Sequence, residues 1–449
     1  MNRWAWAFGV TLSALTAAFA APQSAAQSNE EDVLRIVVNE GRIEPIRIAF
    51  APFEGAGDQL RQWGEQVREV ALADLVNSQL FTEVPREAFI EAAPKFAARP
   101  RFVDWRLINA QWLVTGELGR DEERLLVRFR LWDVLGERQA TGLQLTGDSS
   151  SWRRFAHRMA DAVYSEVTGE GPYFDSRVAF VEETGPKNNR SKSLAIMDQD
   201  GANVRYLQPT GELSMTPKFS PSRQELLYIS FASGRAEVYR YHLETADIER
   251  LGAFEGMNFA PRFAADGRTV AMSFADRGNT DIYLMDIETR ALTRLTNHPA
   301  LDTAPSFSPD GSRVAFESNR AGGQQLYVMN ADGTEQERIS FGEGSYATPA
   351  WSPRGDLIAF TKQHQGRFHI GLMRPDGSGE RILTEGYHNE GPSWAPNGRL
   401  LVFFREYRDP DRLPSLYTVD VTGAFIREIK IEIPPGAGAS DPSWSSVLE

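Results

Sequence analysis

One proline-centred signature constrains this chain more than any other feature. Pro217-Lys-Phe219-Ser, Pro261-Arg-Phe263-Ala, Pro305-Ser-Phe307-Ser, Pro349-Ala-Trp351-Ser and Pro392-Ser-Trp394-Ala follow one another at intervals of 44, 44, 44 and 43 residues. Nine residues past each proline stands Leu226, Val270, Val314, Ile358 or Leu401. Gly267, Gly311, Gly355 and Gly398 occupy the turns between, with Arg223 as the departure. Tyr239, Tyr283, Tyr327 and Gly371 come 22 residues after the first four prolines, and Tyr417 comes 25 after the fifth. Leu251, Leu295, Ile339 and Ile382, each preceded by arginine, close the first four repeats. Within a repeat the apolar residues alternate with period two, and no run is long enough for an amphipathic helix. Such a unit is four short strands, and a period near 44 built of them is the pattern of a β-propeller.

Arg177–Val181, Ser193–Asp198 and Val204–Leu207 match the second, third and fourth strands of an earlier unit that lacks its own proline signature. The missing first strand recurs at the far end as Pro442-Ser443-Trp444-Ser445. The expectation is therefore a mainly β protein whose six-bladed β-propeller, residues 177–449, is closed by its C-terminal strand. Closure removes the free sheet edges that an open array would expose.

The region ahead of the repeats differs in kind. Arg3 precedes 18 uncharged residues, Trp4 to Ala21, and Ala18-Phe19-Ala20 fits a small-residue cleavage site, so residues 1–20 read as a secretory signal peptide. Charges interrupt every later apolar run, so the mature chain is expected not to span a membrane. Residues 21–42 read as a flexible tail, acidic at Glu30-Glu31-Asp32 and then apolar through Val33-Leu34-Arg35-Ile36-Val37-Val38. That strand-like run either joins the first domain's sheet or awaits a partner's sheet edge. Residues 43–170 read as a small α/β domain. It has strands at Arg47–Phe50 and Gln111–Val114, a helix over Asp58–Leu80, and a hairpin turning at Gly136-Glu137. A last helix over Trp152–Val167 is capped by Ser150 or Ser151 and stopped by Gly169. Its helices are expected to cover one face of a layered sheet.

Composition narrows the function classes. With 48 Lys+Arg against 61 Asp+Glu the net charge is −13, and with no basic stripe a nucleic-acid binder is disfavoured. The absence of Cys excludes disulfides, thiolate metal sites and cysteine nucleophiles.

An exported chain with this domain order, these repeats and a closing Pro-Ser-Trp-Ser resembles the TolB family, periplasmic components of the Tol-Pal envelope system. The resemblance covers essentially the whole mature chain, including Arg35–Val38 and Leu75-x-x-Ser78-x-x-Phe81. It implies a non-enzymatic protein-binding component in the periplasm, without cofactor. Such a component links the lipoprotein Pal to TolA and supports envelope integrity and outer-membrane constriction during cell division. Colicins or phage proteins are implied as users of the same face in some bacteria.

The loops leading into each first strand vary while the strands repeat, as expected of recognition loops on a fixed scaffold. Thr216, Met257, Asn258, Ala260, Thr303, Ala304, Tyr346, Ala347, His388, Asn389 and Glu390 form the candidate Pal face, with Tyr346, Met257 and His388 expected on display. The resemblance itself singles out Met257, Ala260, Thr303 and Ala304 for the Pal contact. It also implies that the tail residues Asp32, Val33, Leu34, Arg35, Ile36, Val37, Val38 and Asn39 engage TolA. The alternatives are a periplasmic propeller scaffold for another partner and a propeller hydrolase. The hydrolase is disfavoured because no G-x-S-x-G elbow exists. No metal site is expected. His157, His242, His298, His364, His369 and His388 form no H-x-x-x-H spacing and read as solvated or interface residues, and Asp198-x-Asp200-Gly201 reads as a hairpin turn without the glutamate of a calcium loop.

Overall fold

A computed structural model describes residues 44–448, save 93, 187–188, 208–212, 253–256, 277 and 410. The expected signal peptide and tail, residues 1–42 with Asp32–Asn39 among them, therefore lie outside the described residues.

A five-strand path runs Phe81–Glu83, Ile46–Phe50, Trp112–Asp121, Arg124–Asp133, Arg138–Gly147, its first three strands parallel and the rest antiparallel. Alternation along Ile46–Phe50 sends Ile48 and Phe50 into one core and Ala49 into another. Helices α1 (Asp58–Asn77) and α3 (Trp152–Thr168) cover the first face through Val67, Ala71, Leu75, Met159 and Val163. The second face is covered too, by a short helix α2 (Phe102–Leu107) bringing Phe102 and Trp105 onto Leu113 and Trp132. The expectation of a single covered face is corrected there; a six-residue helix is too short to show a period in sequence.

Helix α1 stops at Asn77 rather than running to Leu80. The Ser78 hydroxyl donates to the Leu75 carbonyl at 2.5 Å, and Gln79 turns left-handed at φ 62. Ser151 is the N-cap of α3 by backbone, but its hydroxyl makes no capping bond. Gly169 ends that helix at φ 71, the left-handed C-terminal geometry that glycine adopts cheaply.

Residues from Arg177 onward are strands. The six-blade expectation is corrected: they form four separate four-stranded sheets and one continuous eight-stranded sheet, not six separate sheets. The cause is local. Phe368 and His388 pair in parallel and stack their rings at 4.2 Å, joining Ser345–Ile382 to His388–Glu428 in one sheet. The C-terminal strand Gly438–Trp444 pairs antiparallel with Arg177–Thr184, from Gly438 opposite Glu183 to Trp444 opposite Val178. In the fourth repeat the buried closing residue is Leu383; Ile382, one position earlier, is 44% exposed.

One hydrophobic core is shared by both parts of the chain. It holds Phe50, Leu75, Phe155 and Tyr164 together with Val178, Phe180, Val402 and Trp444.

Candidate functional site

Every first strand carries the same irregularity. Thr216, Ala260, Ala304, Thr348, Gly391 and Asp441, each directly before a proline of the signature, have φ of 49, 51, 51, 47, 67 and 49. At each of these places the pairing with the second strand shifts register. These are β-bulges, and a bulge bends its strand and frees backbone groups for other partners. The sequence signal was the invariant proline, which cannot donate to a ladder and so marks where pairing breaks.

The freed N–H groups reach neighbouring sheets. That of Ala304 donates to Ser273 Oγ at 3.2 Å, and that of Thr348 to Glu317 Oε2 at 2.9 Å. Glu317 also accepts from Thr303 Oγ1 at 2.5 Å, so one buried carboxylate ties two adjacent first strands. Burial pushes its carboxyl upward, against those two hydrogen bonds.

The candidate residues separate into groups on this scaffold. Thr216, Ala260 and Ala304 are bulge residues, Ala304 buried and Thr216 with a buried hydroxyl that finds no partner among the described residues. Met257 and Asn258 pair through their backbones with Ala275 and Phe274. Tyr346 is not displayed, which corrects the expectation: it is fully buried, its ring tilted against Phe360 at 5.3 Å between centroids, with its hydroxyl donating to Glu380 at 2.9 Å. Ala347 lies beside it, opposite Thr361. His388 Nε2 donates to Glu390 Oε2 at 2.8 Å. Asn389 is buried and accepts from Arg405 at 2.7 Å while donating to the Phe368 carbonyl at 3.2 Å. Among the described candidate residues, Thr303, His388 and Glu390 are half-buried and present polar side chains at this end.

A second polar cluster was missed. His157 on α3 is 3% exposed, not solvated. Its Nδ1 donates to Asp74 Oδ2 on α1 at 2.6 Å, and its Nε2 stands 3.8 Å from Asp198 Oδ2 in the first strand-rich sheet. Gln199 Nε2 donates to the other Asp74 oxygen at 2.8 Å, and Arg153 pairs with both Asp198 and Asp200. Burial pushes the imidazole pKa down, but Asp74, Asp198 and Asp200 outweigh it and hold it well above its usual value. The signal was present: Arg153, His157, Ala160, Asp161 and Tyr164 recur at helical spacing on one face. Asp74, His157 and Asp200 offer ligand atoms within 4.8 Å of one another. Arg153 and Gln199 already occupy these carboxylates, so the donor set is that of an ionic lock. Nearby, Asp161 accepts the backbone N–H groups of Tyr173, Phe174 and Asp175 at 2.7, 2.8 and 2.9 Å, clamping the segment between the two parts.

The arginines before each closing residue are resolved individually. Arg250 and Arg294 pair with Glu237 and Asp281 of their own sheets, Arg338 donates to the Ser340 carbonyl, and Arg381 reaches the Val421 carbonyl.

A β-propeller joined through one core to an α/β region, with bulged first strands, defines a class of two-part propeller proteins. Residues 164–448 match the TolB beta propeller domain and residues 34–140 the TolB amino-terminal domain. The chain is 56% identical over 420 residues to the Tol-Pal system protein TolB of Paramagnetospirillum magneticum, covering 92% of this chain and 93% of that one. The crystal structure of TolB from Acinetobacter baumannii superposes with a TM-score of 0.78 at 26% identity, over 89% of this chain and 96% of that one. The chain belongs to the TolB family of the Tol-Pal system, and it is not an enzyme. No helix among the described residues is long and apolar enough to cross a membrane.

Proposed function

We propose that this chain is a periplasmic relay between the lipoprotein Pal and TolA, serving envelope integrity and outer-membrane constriction during cell division. In this reading residues 1–20 direct export, residues 21–42 are the tail that engages TolA through Asp32–Asn39, and the bulged end of the propeller receives Pal. The observation that carries it is the ring of bulges. It fixes the backbone in every first strand, while the side chains around it, among them Thr303, His388 and Glu390, differ from repeat to repeat. A rigid rim with individual polar groups suits a protein partner, and an interface of ordinary size buries about 1,200–2,000 Å² in total.

If tail exposure and face occupancy are linked, each partner weakens the other by the same factor. The test is capture of purified Pal by the mature protein. Thr303→Arg is expected to abolish it, while Thr303→Ser, which keeps the hydroxyl on Glu317, retains both capture and melting temperature. Undiminished capture by folded Thr303→Arg rejects the face.

A further inference from the structure

At the opposite end of the first strands lies a cavity of about 370 Å³, walled by prolines and by aromatic side chains such as Phe307 and Trp351. The residue after each signature proline lines it: Lys218, Arg262, Ser306, Ala350, Ser393 and Ser443. The serines have a structural task. Ser306 Oγ accepts the Trp351 N–H at 3.0 Å, Ser393 Oγ that of Trp444 at 2.9 Å, and Ser443 Oγ that of Phe219 at 3.2 Å, each across a seam between sheets. Ala350 has no side-chain acceptor, and lysine and arginine carry only donors, so Lys218 and Arg262, in two adjacent repeats, place cations where the serines make the seam bond.

What replaces the seam bond is charge facing the channel. Among the described residues neither cation forms an ion pair within 4.0 Å. Lys218 Nζ reaches only the Pro442 carbonyl, at 3.5 Å, and Arg262 donates to its neighbour's carbonyl at 3.0 Å. We propose that the Lys218–Arg262 side of this channel binds a small organic carboxylate, with its apolar body against the aromatic and proline walls. The cavity falls in the size range of small-molecule sites, which combine apolar walls with a few convergent polar groups. Two neighbouring donors that stand where the serines make a structural bond are such groups, and a carboxylate is the acceptor that matches them.

The electrostatics agree. Burial and then the neighbouring Arg262 push the Lys218 amine down to about 7, Asp441 opposing them, and burial pushes Arg262 down to about 10, against Glu317. Asp441 itself faces Lys192, Lys218 and Glu183, and burial raises its carboxyl. An anion between the two cations restores the protonated lysine, so binding takes up a proton near neutrality.

The proposal does not rest on the Pal reading, and its test uses the full mature protein with sodium benzoate as probe, followed by calorimetry and ligand-observed NMR. Saturable benzoate binding is expected, about tenfold tighter than neutral benzamide and about tenfold weaker in Lys218→Met or Arg262→Met. Lys218→Arg keeps most of it, and the wild-type affinity falls between pH 6 and pH 9. Equal binding of benzoate and benzamide, or no saturable benzoate binding, overturns the proposal without reliance on any variant. Inorganic phosphate binding as tightly as benzoate also overturns it, since the apolar walls would then contribute nothing.

Discussion

Two seams hold this molecule together, and they are built from opposite materials. Ring closure by Gly438–Trp444 is a ladder and an apolar plug: Trp444 is buried against Tyr173, its indole donates to Ser176 Oγ at 2.8 Å, and Ser445 exchanges bonds with Arg177. The seam between the α/β region and the strand-rich part adds to its shared core the ionic set of Asp74, His157, Arg153, Asp198 and Asp200. Backbone ladders and apolar burial are indifferent to pH, whereas a buried ionic set is stable only in one protonation state. Apart from Asp441, whose carboxyl burial raises, and Glu183, held low against burial by Ser440, Lys192 and Arg190, the closure seam is of the first kind, and the ionic seam sets the conditions under which the two parts stay locked.

Breaking the closure seam should have the largest effect. Truncation before Asp441 removes the Trp444 plug and half of the last ladder; loss of the Trp444 side chain alone costs about 3–5 kcal/mol. Chemical denaturation of the truncated and full chains is the check, and equal midpoints would discard the closure argument.

Breaking the ionic seam comes next. Asp74→Ala leaves the His157 imidazolium buried without its shortest partner, a class of change that costs about 3–5 kcal/mol. Asp198 and Asp200 still face His157, which places the expected loss at about 3 kcal/mol. Asp74→Asn keeps one acceptor, for His157, and presents an amide N–H to Gln199, which can turn its own amide to accept; it is expected to lose less, and the ordering of the two variants by thermal melting tests whether charge or shape matters there.

The same contrast explains what was legible in the sequence. Period-two alternation, the 44-residue spacing and the proline-aromatic signature are local patterns, and they located the strands, their turns and the closing segment. Sheet boundaries are not written in the repeat: the Phe368–His388 stack that fuses two units depends on two strand ends meeting in space, and the burial of Tyr346 depends on Phe360 and Glu380 meeting it from elsewhere in the chain. Among the candidate face residues, the strand positions could be read, but whether a side chain points to solvent or into a sheet seam could not. His157 shows the converse. Its helical spacing was available, yet its partners Asp74 and Asp198 come from another helix and a strand, each more than 40 residues away, and only the fold brings them together.

The smallest expected effect, and the one that separates the seams most cleanly, is a pH dependence. His157 is held above its unfolded value of about 6.5. Its contribution is therefore complete below about pH 6.5 and is lost as pH rises through the folded-state pKa. His157→Gln removes that contribution, so the melting-temperature gap between wild type and variant should shrink from pH 6 to pH 9. Lys218, pushed down to about 7, acts with the opposite sign on the alkaline side, because its unfolded form binds more protons there. It is present in both proteins and cancels in the gap. Asp198, held low by His157, Asn203 and Arg153 against the effect of burial, contributes only at the acid end. A gap that stays constant across this range would mean that His157 is neutral in the fold, and the ionic seam would then be a hydrogen-bonded one.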